Sequence, residues 1–95
     1  MKIPGNVKIG GISYTVSYVE RLTEPDSTAE IDYDAATIEL RKGMNMQRQH
    51  RDFLHEVFHA IHDNLGYYKH NEKQIDELAG ALYQVIVDNP EMFAG

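Results

Sequence analysis

A His-Glu-x-x-His motif is the part of the sequence whose residue types and spacing could do chemistry. It is formed by His55-Glu56-Val57-Phe58-His59. On a helix, residues four apart lie one above the other on nearly the same face, so His55 and His59 could bind one metal ion together. Glu56 projects about 100° away around the axis, where it could accept a proton from a zinc-activated water. The motif therefore predicts a Zn²⁺ site with Glu56 as the general base.

A catalytic zinc site takes three protein ligands and keeps one position open for water, so the motif needs a third ligand from elsewhere. The sequence contains no cysteine, which leaves His, Asp or Glu for this role. The acidic candidates in the next predicted helix are Glu72, Asp76 and Glu77. On a helical projection centred on Ile75, Glu72 and Asp76 lie at the edge of the apolar face, whereas Glu77 points away. Both Glu72 and Asp76 therefore remain candidates for the third ligand.

The remaining three histidines are assigned lesser roles. His62 lies close to His55 and His59 in the projection of its own helix. A third ligand so soon after the motif would be unusual, so we predict that His62 packs against the ligands or supports them. His50 and His70 stand at helix margins and are predicted to be solvated surface residues.

The motif lies within a predicted helix. Apolar residues recur at steps of three and four from about Met46 to Leu65, and Gly66 is well placed to end the helix. A second helix is expected from its N-cap Asn71 to about Asp88. Because the connection between them is short, the two helices should be antiparallel neighbours.

Short alternating segments precede the helices and predict strands. We expect a strand, a Gly10-Gly11 turn and a longer strand within residues 7–19, and a second hairpin formed by residues 29–32 and 37–40. Strands first and helices second is the order of an α+β fold, with a small antiparallel sheet of three to four strands and both helices packed on it. No linker divides the chain, so residues 1–95 should form a single zincin-like domain.

Composition narrows the functional classes. The formal net charge is −6, and the nine Lys and Arg are scattered along the chain. They do not form the basic stripe that binds a phosphate backbone, so we expect no nucleic-acid ligand. No apolar run approaches the roughly 18 residues that span a bilayer, and the N-terminus runs into Pro4 and Gly5 instead of a signal sequence. We therefore expect a cytoplasmic protein without a membrane partner.

The two helical segments resemble a known family. Residues 53–61, FLHEVFHAI, followed by residues 75–84, IDELAGALYQ, are similar to the ImmA/IrrE-like zinc metallopeptidases, most closely to their small versions encoded by phages and prophages. The likeness spans roughly residues 29–90. It implies that His55, His59 and Asp76 bind zinc and that Glu56 is the base. The family's usual third ligand is Glu, where this chain has Asp76, and its larger members carry segments that this chain lacks.

The resemblance implies a minimal zinc metallopeptidase that acts on a peptide or protein. It also implies that an edge strand receives the extended substrate, and residues 37–40 are the natural candidate. Tyr67, Tyr68 and Tyr83 lie near the site in sequence, although packing is the commoner role for such residues and no oxyanion-stabilising group is identified. A second hypothesis is a zinc-stabilised, non-catalytic protein-binding module, and a third is a metal-free adaptor. The presence of Glu56 favours the peptidase.

Overall fold

A computed structural model describes residues 1–93, which form a four-stranded sheet followed by two helices. The order confirms the predicted α+β class, and each predicted element is present close to its predicted bounds. The elements are β1 (Asn6–Ile9), β2 (Ile12–Val19), β3 (Ala29–Asp32), β4 (Thr37–Arg41), α1 (Met46–Asn64) and α2 (Glu72–Asp88), followed by a short 3-10 helix at Pro90–Phe93.

The sheet is mixed and not antiparallel, which corrects the prediction. Its strand order is β1-β2-β4-β3, built from two antiparallel hairpins, β1–β2 and β3–β4. The hairpins join through β2 and β4, which run parallel with Val16 opposite Ile38. The connection over residues 20–28 therefore carries the chain past the position of β4 before β3 begins. As a result β4 is paired on both sides, and the prediction that residues 37–40 form an open edge is wrong. That edge belongs to β3.

An asparagine begins each helix. The side chain of Asn45 accepts hydrogen bonds from two backbone N–H groups in the first turn of α1, and Asn71, the predicted cap, accepts one from Gln74. These bonds satisfy amides that have no partner within the helix. Gly66 follows α1 with a φ of 86°, the left-handed conformation that commonly ends a helix. None of the helices within residues 1–93 combines the length and apolar character needed to cross a bilayer.

Helix α1 lies between the sheet and α2. Ile38 and Leu40 of the central strand β4 are completely buried, and α1 covers that face of the sheet. Helix α2 packs on α1 through buried side chains that include Ile75 and Ala79. Within residues 1–93 the backbone of α2 does not lie against a strand, so the prediction that both helices pack on the sheet holds for α1 alone.

The β1–β2 turn packs tightly against the end of α1. Gly10 has a φ of 58°, and a Cβ at this position would lie 2.1 Å from side-chain atoms of Asn64. Glycine adopts this φ without strain, and any larger residue would also require the Asn64 side chain to move. The turn and the end of α1 are therefore close neighbours, and α1 also lies against β1, β3 and β4.

Candidate metal centre

His55, His59 and Glu72 bring three ligand atoms together where α1 meets α2. The Nε2 atoms of His55 and His59 are 3.2 Å apart. Glu72 Oε1 lies 2.8 Å from His59 Nε2, and Glu72 Oε2 lies 3.1 Å from His55 Nε2. One ligand atom from each residue lies within 4.8 Å of the others. These three residues, which we call the metal-binding group, could hold a metal ion.

The spacing of these atoms fits tetrahedral coordination. Ligands bound at about 2.0–2.1 Å in a tetrahedral site are roughly 3.3 Å apart. The separation of 3.2 Å between the two Nε2 atoms is close to that value. Two imidazoles and one carboxylate also form a donor set that small divalent ions accept. Both the donor types and their spacing therefore suit a small divalent ion.

Asp76, which the resemblance named as the third ligand, lies at the opposite nitrogen of His55. Its Oδ1 atom is 3.3 Å from Nδ1, whereas the group forms at Nε2. The other oxygen of Asp76 lies 3.7 Å from Nη2 of Arg51. Asp76 is thus placed to accept a hydrogen bond from Nδ1–H and to hold the His55 ring in orientation. The third member of the group is Glu72, which the helical projection had retained as an alternative to Asp76.

We expect Asp76→Ala to weaken zinc binding without abolishing it. Loss of a carboxylate that orients a ligating histidine commonly costs about 10- to 100-fold in metal affinity. Competition with a chromophoric chelator would measure the change, with Glu77→Ala as the matched control because Glu77 is exposed on the same helix. Unchanged affinity would show that Asp76 has no positioning role. Complete loss of binding would make Asp76 a ligand.

His59 is buried and contacts His70, which the sequence had placed in solvent. The two Nδ1 atoms are 2.6 Å apart, and the rings stack with centroids 4.9 Å apart. Burial lowers the pKa of His59, and the neighbouring histidines lower it further against the opposing effect of Glu72. A neutral His59 that donates Nδ1–H to His70 keeps the lone pair of Nε2 free for a metal. The prediction that His70 is a plain surface residue is therefore wrong.

The two other histidines serve packing. His62 Nδ1–H donates to a backbone carbonyl one turn earlier in α1 at 2.8 Å, and its ring lies beside Tyr67 and His70. It takes no part in the metal-binding group, consistent with a supporting role. His50 is only 8% exposed, and its ring meets that of Tyr83 edge-on at 5.8 Å. The prediction of a solvated His50 is thus wrong, and burial lowers the pKa of this residue.

Glu56 is buried beside the group, with 7% of its surface exposed. Burial raises the pKa of Glu56 to about 7; His55 opposes this effect, and the carboxylate of Glu72 adds to it. None of the side-chain hydrogen bonds or ion pairs within residues 1–93 involves Glu56. No side-chain oxygen in this part of the chain is both sealed from solvent and without a partner, so the carboxylate oxygens of Glu56 are reached from the cleft that it lines. A carboxyl group with a pKa near neutrality can both accept and return a proton at neutral pH.

The metal-binding group lines a cleft. The chain leading into β3 also borders this cleft. Residues 26–29 form one side of this cleft, and Glu56 lines it together with the group. The segment is held to α1 by Thr28, whose hydroxyl donates to Oδ2 of Asp52 at 2.6 Å. The cleft, which we call the metal cleft, therefore places the two histidines, Glu72 and the unpaired Glu56 around one space.

Arg48 also lines the metal cleft, and the sequence reasoning missed it. Positions 48, 52, 55 and 59 follow one another at steps of three and four, so they share a stripe of α1. That spacing was the available signal. Within the described residues, Tyr67, Tyr68 and Tyr83 line other surfaces of the protein. Arg48, unlike these three tyrosines, is a lining residue of the metal cleft.

Comparison with known proteins finds no family model, curated protein or solved structure that matches the chain. The resemblance to the ImmA/IrrE-like metallopeptidases rests on the motif and the segments quoted above. The chemistry of the site has to be inferred from its own geometry.

Proposed function

We propose that the protein is a minimal zinc-dependent metallopeptidase. The observation that carries this proposal is the convergence of His55, His59 and Glu72 in a cleft that the buried, unpaired Glu56 also lines. A buried carboxylate without a partner is unfavourable for folding. A metal that served only to hold the helices together would not need such a group. The arrangement therefore favours a peptidase over a zinc-stabilised binding module.

A zinc ion held by His55, His59 and Glu72 would supply Lewis acidity toward water and toward the scissile carbonyl. Glu56 would accept a proton from the attacking water and return it to the leaving amine, and its pKa of about 7 suits both transfers. Arg48 lines the cleft, where its guanidinium can bind the carbonyl oxygen as negative charge develops there.

Asp76 and His70 would act on the two ligating histidines and not on the reacting atoms. Each contacts the imidazole nitrogen that faces away from the metal-binding group, at His55 and at His59 respectively. Such contacts fix the tautomer and the ring orientation that metal binding requires. The two positioning residues therefore keep both Nε2 atoms directed at one point.

The resemblance to the ImmA/IrrE-like family supports the same proposal. It suggests a small enzyme of the phage- or prophage-encoded kind that acts in the cytoplasm on a peptide or protein. With Glu72 as the third ligand, the donor types would be those usual in that family, but Glu72 stands one turn before Asp76, the position to which the resemblance assigned this ligand.

We expect the purified protein to hold about one zinc ion per chain and to cleave peptides only while the ion is bound. Native mass spectrometry with and without a chelator would count the ion. A mixture of unstructured peptides would report cleavage, which should stop after chelation and return when zinc is added. The matched control is His59→Ala, which should neither bind zinc nor cleave. Cleavage that survives chelation would overturn the zinc mechanism, and bound zinc without cleavage of any peptide would favour the binding module.

A further inference from the structure

A second cleft runs along the outer edge of β3 and reaches Glu56. It has a volume of about 500 Å³, within the range of ligand-binding clefts. We call it the acidic cleft because five acidic residues, and no basic residue among those described, line it: Glu24, Glu30, Asp32, Glu39 and Glu56. Since Glu56 also lines the metal cleft, the two clefts meet at the proposed base.

Two of these acidic residues are direct cross-strand neighbours within the sheet. Glu30 and Glu39 stand directly opposite in the β3–β4 pairing, where like charges are destabilising. No Lys or Arg forms an ion pair with either residue in the described part of the chain. Glu30 Oε1 accepts a hydrogen bond from the backbone N–H of Glu24 at 2.9 Å, which brings a third acidic residue to the same place. The negative charge is thus concentrated and left unbalanced.

Glu56 gives independent evidence of a ligand at the inner end of the acidic cleft. Glu56 is 7% exposed and lines the cleft, and none of the side-chain hydrogen bonds or ion pairs within residues 1–93 involves it. Because no side-chain oxygen in this part of the chain is sealed from solvent without a partner, its carboxylate oxygens are reached from the cleft. Buried charged groups are normally paired. A carboxylate left without a partner in a cleft is a group that a bound molecule can satisfy.

The strand that borders the acidic cleft has a free edge. β3 pairs with β4 on one side, and the sheet ends on its other side. Free N–H and C=O groups on such an edge can bond to an extended peptide. Ala29 and Ile31 of β3 are among the lining residues, so a peptide on this edge would run along the carboxylates toward Glu56.

We propose that the acidic cleft binds a peptide segment rich in Lys or Arg and so selects basic substrates for the metal centre. The inference rests on the proposed function, which identifies the occupant as a peptide. A long basic side chain could reach between Glu30 and Glu39, where a cation would offset their repulsion. The net charge of −6 would also attract a basic segment from a distance.

The test compares two labelled peptides of about ten residues, one alternating Lys with Thr and the other alternating Glu with Thr. Fluorescence anisotropy would measure their binding to chelator-treated protein, which does not cleave them, and cleavage would be followed separately with zinc present. We expect the basic peptide to bind at least roughly tenfold more tightly than the acidic one, and added salt to reduce the difference.

The decisive variant is Glu30→Gln combined with Glu39→Gln. It should bind the basic peptide roughly three- to tenfold more weakly, while its unfolding temperature stays the same or rises because the repulsion is gone. Glu77→Gln combined with Glu91→Gln is the matched control. It changes the net charge equally at exposed residues outside the cleft, and should keep the wild-type preference.

The outcomes separate this inference from the proposed function. Equal binding of the two peptides, or equal weakening by both double variants, would overturn the acidic cleft as a binding site. Selective binding of the basic peptide without any cleavage would support the cleft and overturn the peptidase. Cleavage of peptides irrespective of their charge would support the peptidase and overturn the selection of basic substrates.

Discussion

Replacement of Glu56 by Gln is expected to lower the rate of peptide cleavage by at least roughly a hundredfold while zinc stays bound. The amide has nearly the shape of the carboxylate but cannot accept a proton, and Glu56 is not part of the metal-binding group. Initial rates on a cleavable peptide and zinc content by mass would be measured on the same preparation. Wild-type rates in the Gln variant would exclude Glu56 as the base, and lost zinc would show that it supports the metal.

The same substitution should alter how the stability of the metal-free protein depends on pH. Burial raises the pKa of Glu56 from 4.5 to about 7, so the folded protein binds this proton more tightly than the unfolded chain does. The resulting stabilisation is complete below pH 4.5 and is lost as the pH rises to about 7. It corresponds to roughly 3 kcal/mol of unfolding free energy at most. Urea unfolding with chelator at about pH 5 and about pH 8 should show this loss in the wild type and not in Glu56→Gln.

Glu72→Ala is expected to reduce zinc affinity more severely than Asp76→Ala. Glu72 contributes an oxygen to the metal-binding group itself, whereas Asp76 contacts the far nitrogen of His55. Removal of a ligand should exceed the roughly 10- to 100-fold cost of losing an orienting carboxylate. Isothermal titration with zinc, supported by chelator competition, would rank the two variants.

Two further variants complete this comparison. Glu77→Ala should bind zinc as the wild type does, because the residue is exposed and outside the group. Glu72→Asp keeps the charge and shortens the side chain by one methylene, so it should fall between wild type and Glu72→Ala. If Asp76→Ala lost zinc and Glu72→Ala retained it, the ligand set suggested by the family resemblance would be restored in place of the one that the structure brings together.

Local sequence signals predicted the elements of this fold but not the pairing of the two hairpins. Glycines at the turn over residues 10–11, the alternation in β2 and the cap at Asn71 act within a few residues, so they are readable in sequence. The parallel pairing of β2 with β4 depends on the path of residues 20–28, which carries no corresponding pattern. For that reason the open edge was assigned to the wrong strand of its hairpin.

For the candidate site, too, the sequence predicted the local feature, the histidine pair, but not the contacts between elements. The spacing of His55 and His59 placed two nitrogens on one face, and the structure keeps them together. A helical projection reports the angle around an axis but not the position along it. The two helices are antiparallel, so residues later in α2 lie beside residues earlier in α1. Glu72 at the start of α2 therefore contacts both histidines, whereas Asp76, one turn later, contacts only His55. The contact of His70 with His59 arises from the connection between the helices, which no periodicity describes.

Within residues 1–93 the backbone of α2 lies against α1 and the 3-10 helix at Pro90–Phe93, and against no strand. An ion bound by His59 and Glu72 would therefore cross-link α1, which packs on the sheet, to α2, which does not. Without the ion, α2 is the part of the protein whose amide hydrogens should exchange first through local opening, while the sheet and α1 stay closed. With the ion, opening of α2 would first have to break a ligand bond. Occupancy of the metal centre would thus decide whether the chain unfolds as one unit or begins with its second helix.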